Sequence, residues 1–123
     1  MKYKSLVAVL LLGIVLSLVN SCKMKEMQNE EILFVGTYTN NGSEGIYRYN
    51  FNLETGQLEN KTLAAAIKNP SYLTLSPDKN TMYAVSEVDD FKEDHGSITT
   101  FRVKDTVLTE VDVKSTYGAN PCY

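Results

Sequence analysis

A chain of 123 residues, 43% hydrophobic and 22% charged, carries enough apolar matter for a packed core and is too mixed for a fibrous or low-complexity polypeptide. Its formal net charge is −3 and its Lys and Arg residues form no cluster. This excludes nucleic acid as a partner, because such binding rests on grouped cations that neutralise phosphates.

The first element is a leader that stands apart from the fold. Lys2 and Lys4 precede an apolar run of 14 residues, 6–19, which suits a secretory signal and falls short of the roughly 20 residues a spanning helix needs. The run ends Leu16-Ser17-Leu18-Val19-Asn20-Ser21-Cys22, which resembles a bacterial lipobox, with small residues before a cysteine whose thiol takes diacylglycerol. On this reading residues 1–21 are a lipoprotein signal peptide, Cys22 is the acylated first residue, and 22–31 is a polar tether between the membrane and the domain. Acyl chains contribute about 0.8 kcal/mol per buried CH₂, so several of them hold the protein stably to the cell envelope. The alternative is simple secretion with Cys22 incidental. Loss of Lys2 and Lys4 takes the formal charge from −3 to −5. Only Cys122 then remains, expected to be a buried small hydrophobe with no disulfide partner in the folded part.

The remainder, 32–123, reads as short runs rich in Val, Ile, Tyr, Phe and Thr, broken by Gly, Asn, Asp and Pro. Residues 32–39, 46–51 and 58–67 are predicted strands, the last of them weaker, with the turn 52–57 placing Gly56 at positive φ. Residues 71–75, 82–86, 97–103 and 107–113 make four more, the first two joined by Ser76-Pro77-Asp78-Lys79-Asn80, where Pro77 presets φ. No window after residue 31 sustains the i, i+3, i+4, i+7 spacing of a helix.

Two motifs return at an interval of 51 positions: Gly45-Ile46-Tyr47-Arg48 is answered by Gly96-Ser97-Ile98-Thr99, and Asn69-Pro70-Ser71-Tyr72 by Asn120-Pro121-Cys122-Tyr123. A repeated meander of this length matches a four-stranded β-propeller blade. The predicted fold is therefore all-β, a propeller fragment of about two four-stranded antiparallel blades. Residues 71–113 supply strands A to D of one blade, counted outward from the channel. The first set supplies only B, C and D, its A strand being what a closed ring borrows from the far end. Repeat units bury their faces against neighbours, and about three are needed for independent stability, so the chain reads as the N-terminal part of a longer ring whose remaining blades it needs. The alternative is a small open β-sandwich.

The runs Phe34-Val35-Gly36-Thr37-Tyr38-Thr39, Gly45-Ile46-Tyr47, Leu53-Glu54-Thr55-Gly56, Asn69-Pro70-Ser71-Tyr72-Leu73-Thr74-Leu75-Ser76-Pro77-Asp78 and Met82-Tyr83-Ala84-Val85-Ser86-Glu87 closely resemble the opening of the lactonase family of seven-bladed β-propellers. That family includes the 6-phosphogluconolactonases and is similar in fold to the carboxy-muconate lactonising enzymes. The resemblance implies an enzyme, a hydrolase that opens a sugar lactone to its acid by water attack, with no cofactor and no metal; a fragment of under two blades is expected to be inactive alone. Many members carry His where Tyr123 stands, so no histidine role is carried over there. Because family members acting on 6-phosphogluconolactone are usually intracellular, an exported chain points to a different sugar lactone. The second hypothesis is a noncatalytic, envelope-anchored propeller that binds a sugar or a protein, since one scaffold serves both.

In a propeller, B–C and D–A connections open on one face and A–B and C–D turns on the other. The first face gathers residues 37–44, Asn69, Pro70, 87–95 and 120–123; the second gathers 53–57, 77–80 and 104–106, which is ordinary turn chemistry. Lactone hydrolysis requires a base for water and donors for the developing oxyanion. Glu87, at the end of a B strand beside the channel mouth, is the first candidate base, against a plain solvent-facing carboxylate. His95 is the second, against an exposed loop residue. Thr37, Tyr38 and Thr39 offer hydroxyls toward the same mouth, although packing explains Tyr38 equally. Asn69 and Asn120 are candidate substrate contacts whose simpler role is to fix the D–A turn. Glu87, Asp89, Asp90, Glu93 and Asp94 form an acidic loop that fits no known calcium loop and reads as a solvated charge run. Arg48 and Arg102 lie inside C strands, where their repetition points to a structural role between blades; any substrate phosphate would need cations from absent blades.

Overall fold

The computed structural model describes residues 29–123, so the leader, Cys22 and most of the tether lie outside the described residues. Seven strands follow in order: β1 (Glu30–Val35), β2 (Gly45–Asn52), β3 (Leu58–Ala66), β4 (Pro70–Leu75), β5 (Thr81–Phe91), β6 (His95–Lys104) and β7 (Val107–Ser115), with one short 3₁₀ turn at Thr39–Asn41. They form a three-stranded sheet, β1-β2-β3, and a four-stranded sheet, β4-β5-β6-β7, every neighbouring pair antiparallel. The first sheet lacks one strand of the second, as the incomplete first blade requires.

Each hairpin has a local cause. Between β4 and β5 the Ser76 hydroxyl donates to Asp78 (2.5 Å), and the Thr81 amide donates back to Ser76 Oγ (3.0 Å), which closes the turn with side chains. Between β6 and β7 the chain turns on Asp105 and Thr106, both at positive φ (49° and 65°), the left-handed pair that a two-residue hairpin demands.

The sheets pack face to face as neighbours. Ile46 of the first meets Met82, Ala84 and Phe101 of the second in the buried core, with Phe34, Ala65, Ile67, Leu73, Val103 and Leu108 partly buried around it. At one end of this seam Arg48 Nη1 donates to Thr106 Oγ1 across the sheets at 2.8 Å, while its Nε is buried without a partner. Arg48 thus takes the interblade role read from its position. Arg102 does not: it stands opposite Thr81, at the start of β5, whereas Arg48 stands opposite Phe34 near the end of β1. Arg102 is exposed beside Asn80, Thr81 and Val111, and bonds no neighbouring sheet among the described residues. Arg48→Met keeps the apolar stem and removes the guanidinium, so a loss of about 1 kcal/mol is expected by urea unfolding of the full-length protein. Thr106→Val should cost about the same, and the double variant no more than either single one.

Three expectations need correction. β1 stops at Val35 and not at Thr39, because Thr37 folds back: its hydroxyl donates to Gly45 O (2.6 Å) and accepts from Ser43 Oγ (2.8 Å). The acidic stretch after Glu87 is mostly strand, since β5 runs on to Phe91, which pairs with His95, and only residues 92–94 turn. Cys122 is an exposed free thiol, because no strand among the described residues covers the segment beyond Pro121.

Candidate functional site

The connection after β1, the β3–β4 connection, the far half of β5 and the segment after β7 lie at one end of the seam, although 18 to 49 positions separate their interacting residues. Tyr38 hydroxyl donates to Glu87 Oε2 at 2.7 Å, joining the first sheet to the second. Asn69 sits beneath both. Its Oδ1 accepts from the Thr39 amide (2.9 Å) and the Thr39 hydroxyl (3.0 Å), and its Nδ2 donates to Glu87 O (3.2 Å). The Glu87 amide in turn donates to Asn69 O (2.9 Å). Such a double anchor needs a short amide side chain on a residue that tolerates the left-handed region, and Asn69 is held at φ 43°.

The second copy repeats part of this pattern. Asn120 also has positive φ (49°), and its amide donates to Val88 O at 2.8 Å, which brings 120–123 to the same end. Gly96 makes room there, because a Cβ on it would strike the Pro121 ring. The side chain of Asn120 makes no hydrogen bond among the described residues.

The predicted site residues therefore divide. Glu87, Tyr38 and Asn69 come together; Asn120 borders them through its backbone. Thr37 is used inside its own loop. His95 points elsewhere: its Nδ1 lies 3.0 Å from Ser115 Oγ, and its ring meets Tyr117 edge-on at 6.0 Å, over the end of β7. His95 makes no hydrogen bond to Glu87. Sequence reasoning missed Lys68, which pairs with Asp90 at the rim, both side chains being more than half exposed. Nothing local to Lys68 signals that contact, since the partner stands 22 positions away. Among the described residues no three His, Cys, Asp or Glu side chains gather as metal ligands.

The pair has an electrostatic signature. The Glu87 carboxylate accepts the Tyr38 proton and so holds the phenol above its ordinary value of 10.0, with desolvation and the charges of Glu87 and Cys122 adding to the effect. Because the folded-state value is the raised one, the small stability this exposed contact adds is present in full below pH 10 and is lost as pH climbs through the raised value. A ¹³C-tyrosine titration should show the Tyr38 phenol shifted upward, and Glu87→Gln should bring it back toward the ordinary value. An unshifted Tyr38 resonance would contradict the contact.

Repeating meanders packed side by side fit a propeller and a sandwich alike, and comparison with known proteins separates them. The family model described as "Lactonase, 7-bladed beta-propeller" matches residues 32–123. The chain belongs to this lactonase family. The 6-phosphogluconolactonase of Bacillus subtilis is 29% identical over 92 residues, covering 73% of this chain and 25% of that protein. A Bacteroides uniformis crystal structure, provisionally assigned as a 6-phosphogluconolactonase, superposes with TM-score 0.68 at 39% identity over 77% of this chain and 27% of its own. The periplasmic gluconolactonase of Pseudomonas aeruginosa superposes with TM-score 0.67 at 32% identity, over 76% and 27%. The chain thus spans about a quarter of the length of the relatives it matches. The sandwich alternative falls, and the two sheets are neighbouring blades of the lactonase propeller.

Proposed function

We propose that this chain contributes the seam of two blades to the active site of a lactone hydrolase that opens a sugar lactone to its acid. The observation that carries the reading is the Tyr38–Glu87 bond across the seam, braced by Asn69 at the end where the connecting loops converge. In the proposed step Glu87 takes a proton from water as the water oxygen bonds to the lactone carbonyl carbon. The ring C–O bond then breaks, and the leaving alkoxide recovers that proton to give a hydroxy acid. Donors for the oxyanion come from other blades of the ring. The names of the Bacillus subtilis and Pseudomonas aeruginosa relatives support this reaction class.

At the described loop end Glu87, Asp89, Asp90, Glu93 and Asp94 outnumber Lys68 and Lys92, and Lys68 is paired with Asp90, which favours an uncharged sugar lactone over a phosphorylated one. The test is hydrolysis by the full-length protein of gluconolactone with and without a 6-phosphate. Turnover of the unphosphorylated lactone is expected; no rate above background with either would remove the proposal. We also propose export and acylation at Cys22, supported by the leader sequence. Lipid labelling that is lost in Cys22→Ala is the expected result, and equal labelling of both proteins would dismiss the anchor.

A further inference from the structure

We infer that Tyr38 is a positioning residue that aims the Glu87 carboxylate from the neighbouring blade. The inference rests on the proposed role of Glu87 and adds a second residue to it. A glutamate side chain has several rotatable bonds, and one left in solvent samples many orientations; catalysis by a base requires the reacting geometry to be held beforehand. Glu87 has no cationic partner among the described residues, and Tyr38 hydroxyl is its one side-chain partner there. The bond engages Oε2 and leaves Oε1 free to take a proton from water.

Both ends of the bond are referenced to one residue. Asn69 pins Thr39, immediately after Tyr38, and also grips the Glu87 backbone through two hydrogen bonds. The backbones that carry phenol and carboxylate are therefore held in register by Asn69, and the phenol–carboxylate bond sets the side-chain orientation. Holding the blades together does not require this pair: Tyr38 is 53% exposed, and the apolar core lies deeper in the seam. An exposed contact of this kind adds little stability, so its worth lies in orientation. Tyr38 acts through Glu87 and need not touch the lactone.

The experiment is a double-mutant cycle on the full-length protein, with steady-state hydrolysis of gluconolactone and urea unfolding of each variant. Tyr38→Phe is expected to lower kcat about tenfold or more, the effect of losing one hydrogen bond to a charged group, with KM within about twofold, as befits a group that binds no substrate. Its unfolding midpoint should match the wild type. Glu87→Gln should lower kcat by about 10²- to 10⁴-fold, and adding Tyr38→Phe to it should change nothing further. Glu87→Gln inactive with Tyr38→Phe fully active would overturn the positioning role and leave the hydrolase reading standing. Additive losses, or a Tyr38→Phe effect confined to KM or to stability, would also overturn it. An active Glu87→Gln would remove the base itself, and the positioning role with it.

Discussion

Gly36→Ala is expected to destabilise the full-length protein by about 3 kcal/mol, among the larger costs of inserting a methyl into a packed interior. Gly36 follows β1 at the seam, and a Cβ there would be driven into the Pro70 carbonyl oxygen, with Pro70 C at 3.1 Å and Leu73 Cγ at 3.5 Å behind it. The obstructing atoms are backbone and belong to the start of β4, the innermost strand of the next blade. A rotamer change cannot relieve the overlap, so the blades must separate. Gly118→Ala is the control: nothing lies within 4 Å of its Cβ, and its unfolding midpoint should not move. Urea titration of the two variants decides the point. A Gly36→Ala protein as stable as the Gly118→Ala protein would contradict the close packing of the seam.

Asn69→Ala should cost about 2–4 kcal/mol. It removes two hydrogen bonds accepted from Thr39 and one donated to Glu87 O, each worth about 1 kcal/mol net in a partly buried setting. It also leaves a Cβ residue without compensation at φ 43°. Two companions separate these terms. Asn69→Asp keeps the Oδ acceptor for Thr39 but sets a carboxylate oxygen against Glu87 O where the donor stood, so it should recover only part of the stability lost in alanine. Asn69→Gly relieves the backbone and keeps none of the bonds, so it should fall between wild type and alanine. The order wild type, Asp or Gly, then Ala, read from urea midpoints, is the expected result. The proposed lactone hydrolysis should fall along with the Thr39 and Glu87 contacts. If alanine were as stable as wild type, Asn69 would be an ordinary turn residue.

Much of the architecture was legible because it is written in local chemistry. Alternating β-branched and aromatic residues between Gly, Pro, Asn and Asp marked the strands, β3 more weakly than the others, and the Ser76, Asp78 and Thr81 contacts are those a Ser-Pro-Asp turn is built to make. The 51-residue recurrence of Asn-Pro marked where the blades join, and Asn69 and Asn120 do share a left-handed backbone there. The errors arose where tertiary pairing overrode local signals. Charges at Asp89 and Asp90 read as loop, yet pairing of Phe91 with His95 carries β5 through them, and Lys68 takes up one of the carboxylates.

Site residues were legible as a set and not as partners. Reasoning from blade topology placed Tyr38, Asn69 and Glu87 on one face, but nothing in the sequence pairs Tyr38 with Glu87, 49 positions apart. His95 drew notice as the single histidine in the chain, yet β6 and β7 turn it toward Ser115 and Tyr117. Cys122 was read as buried because cysteines usually are, and burial depends on a covering strand that the described residues do not provide.

In the proposed reaction the lactone is handled where the two blades meet at Glu87. A crystal structure of the full-length protein with gluconate, the ring-opened product, tests it most directly. The product is expected at this seam, with one of its oxygens within hydrogen-bond reach of the Glu87 carboxylate and Tyr38 still bonded to the opposite oxygen. Gluconate bound at a different pair of blades, with Glu87 facing open solvent, would contradict it.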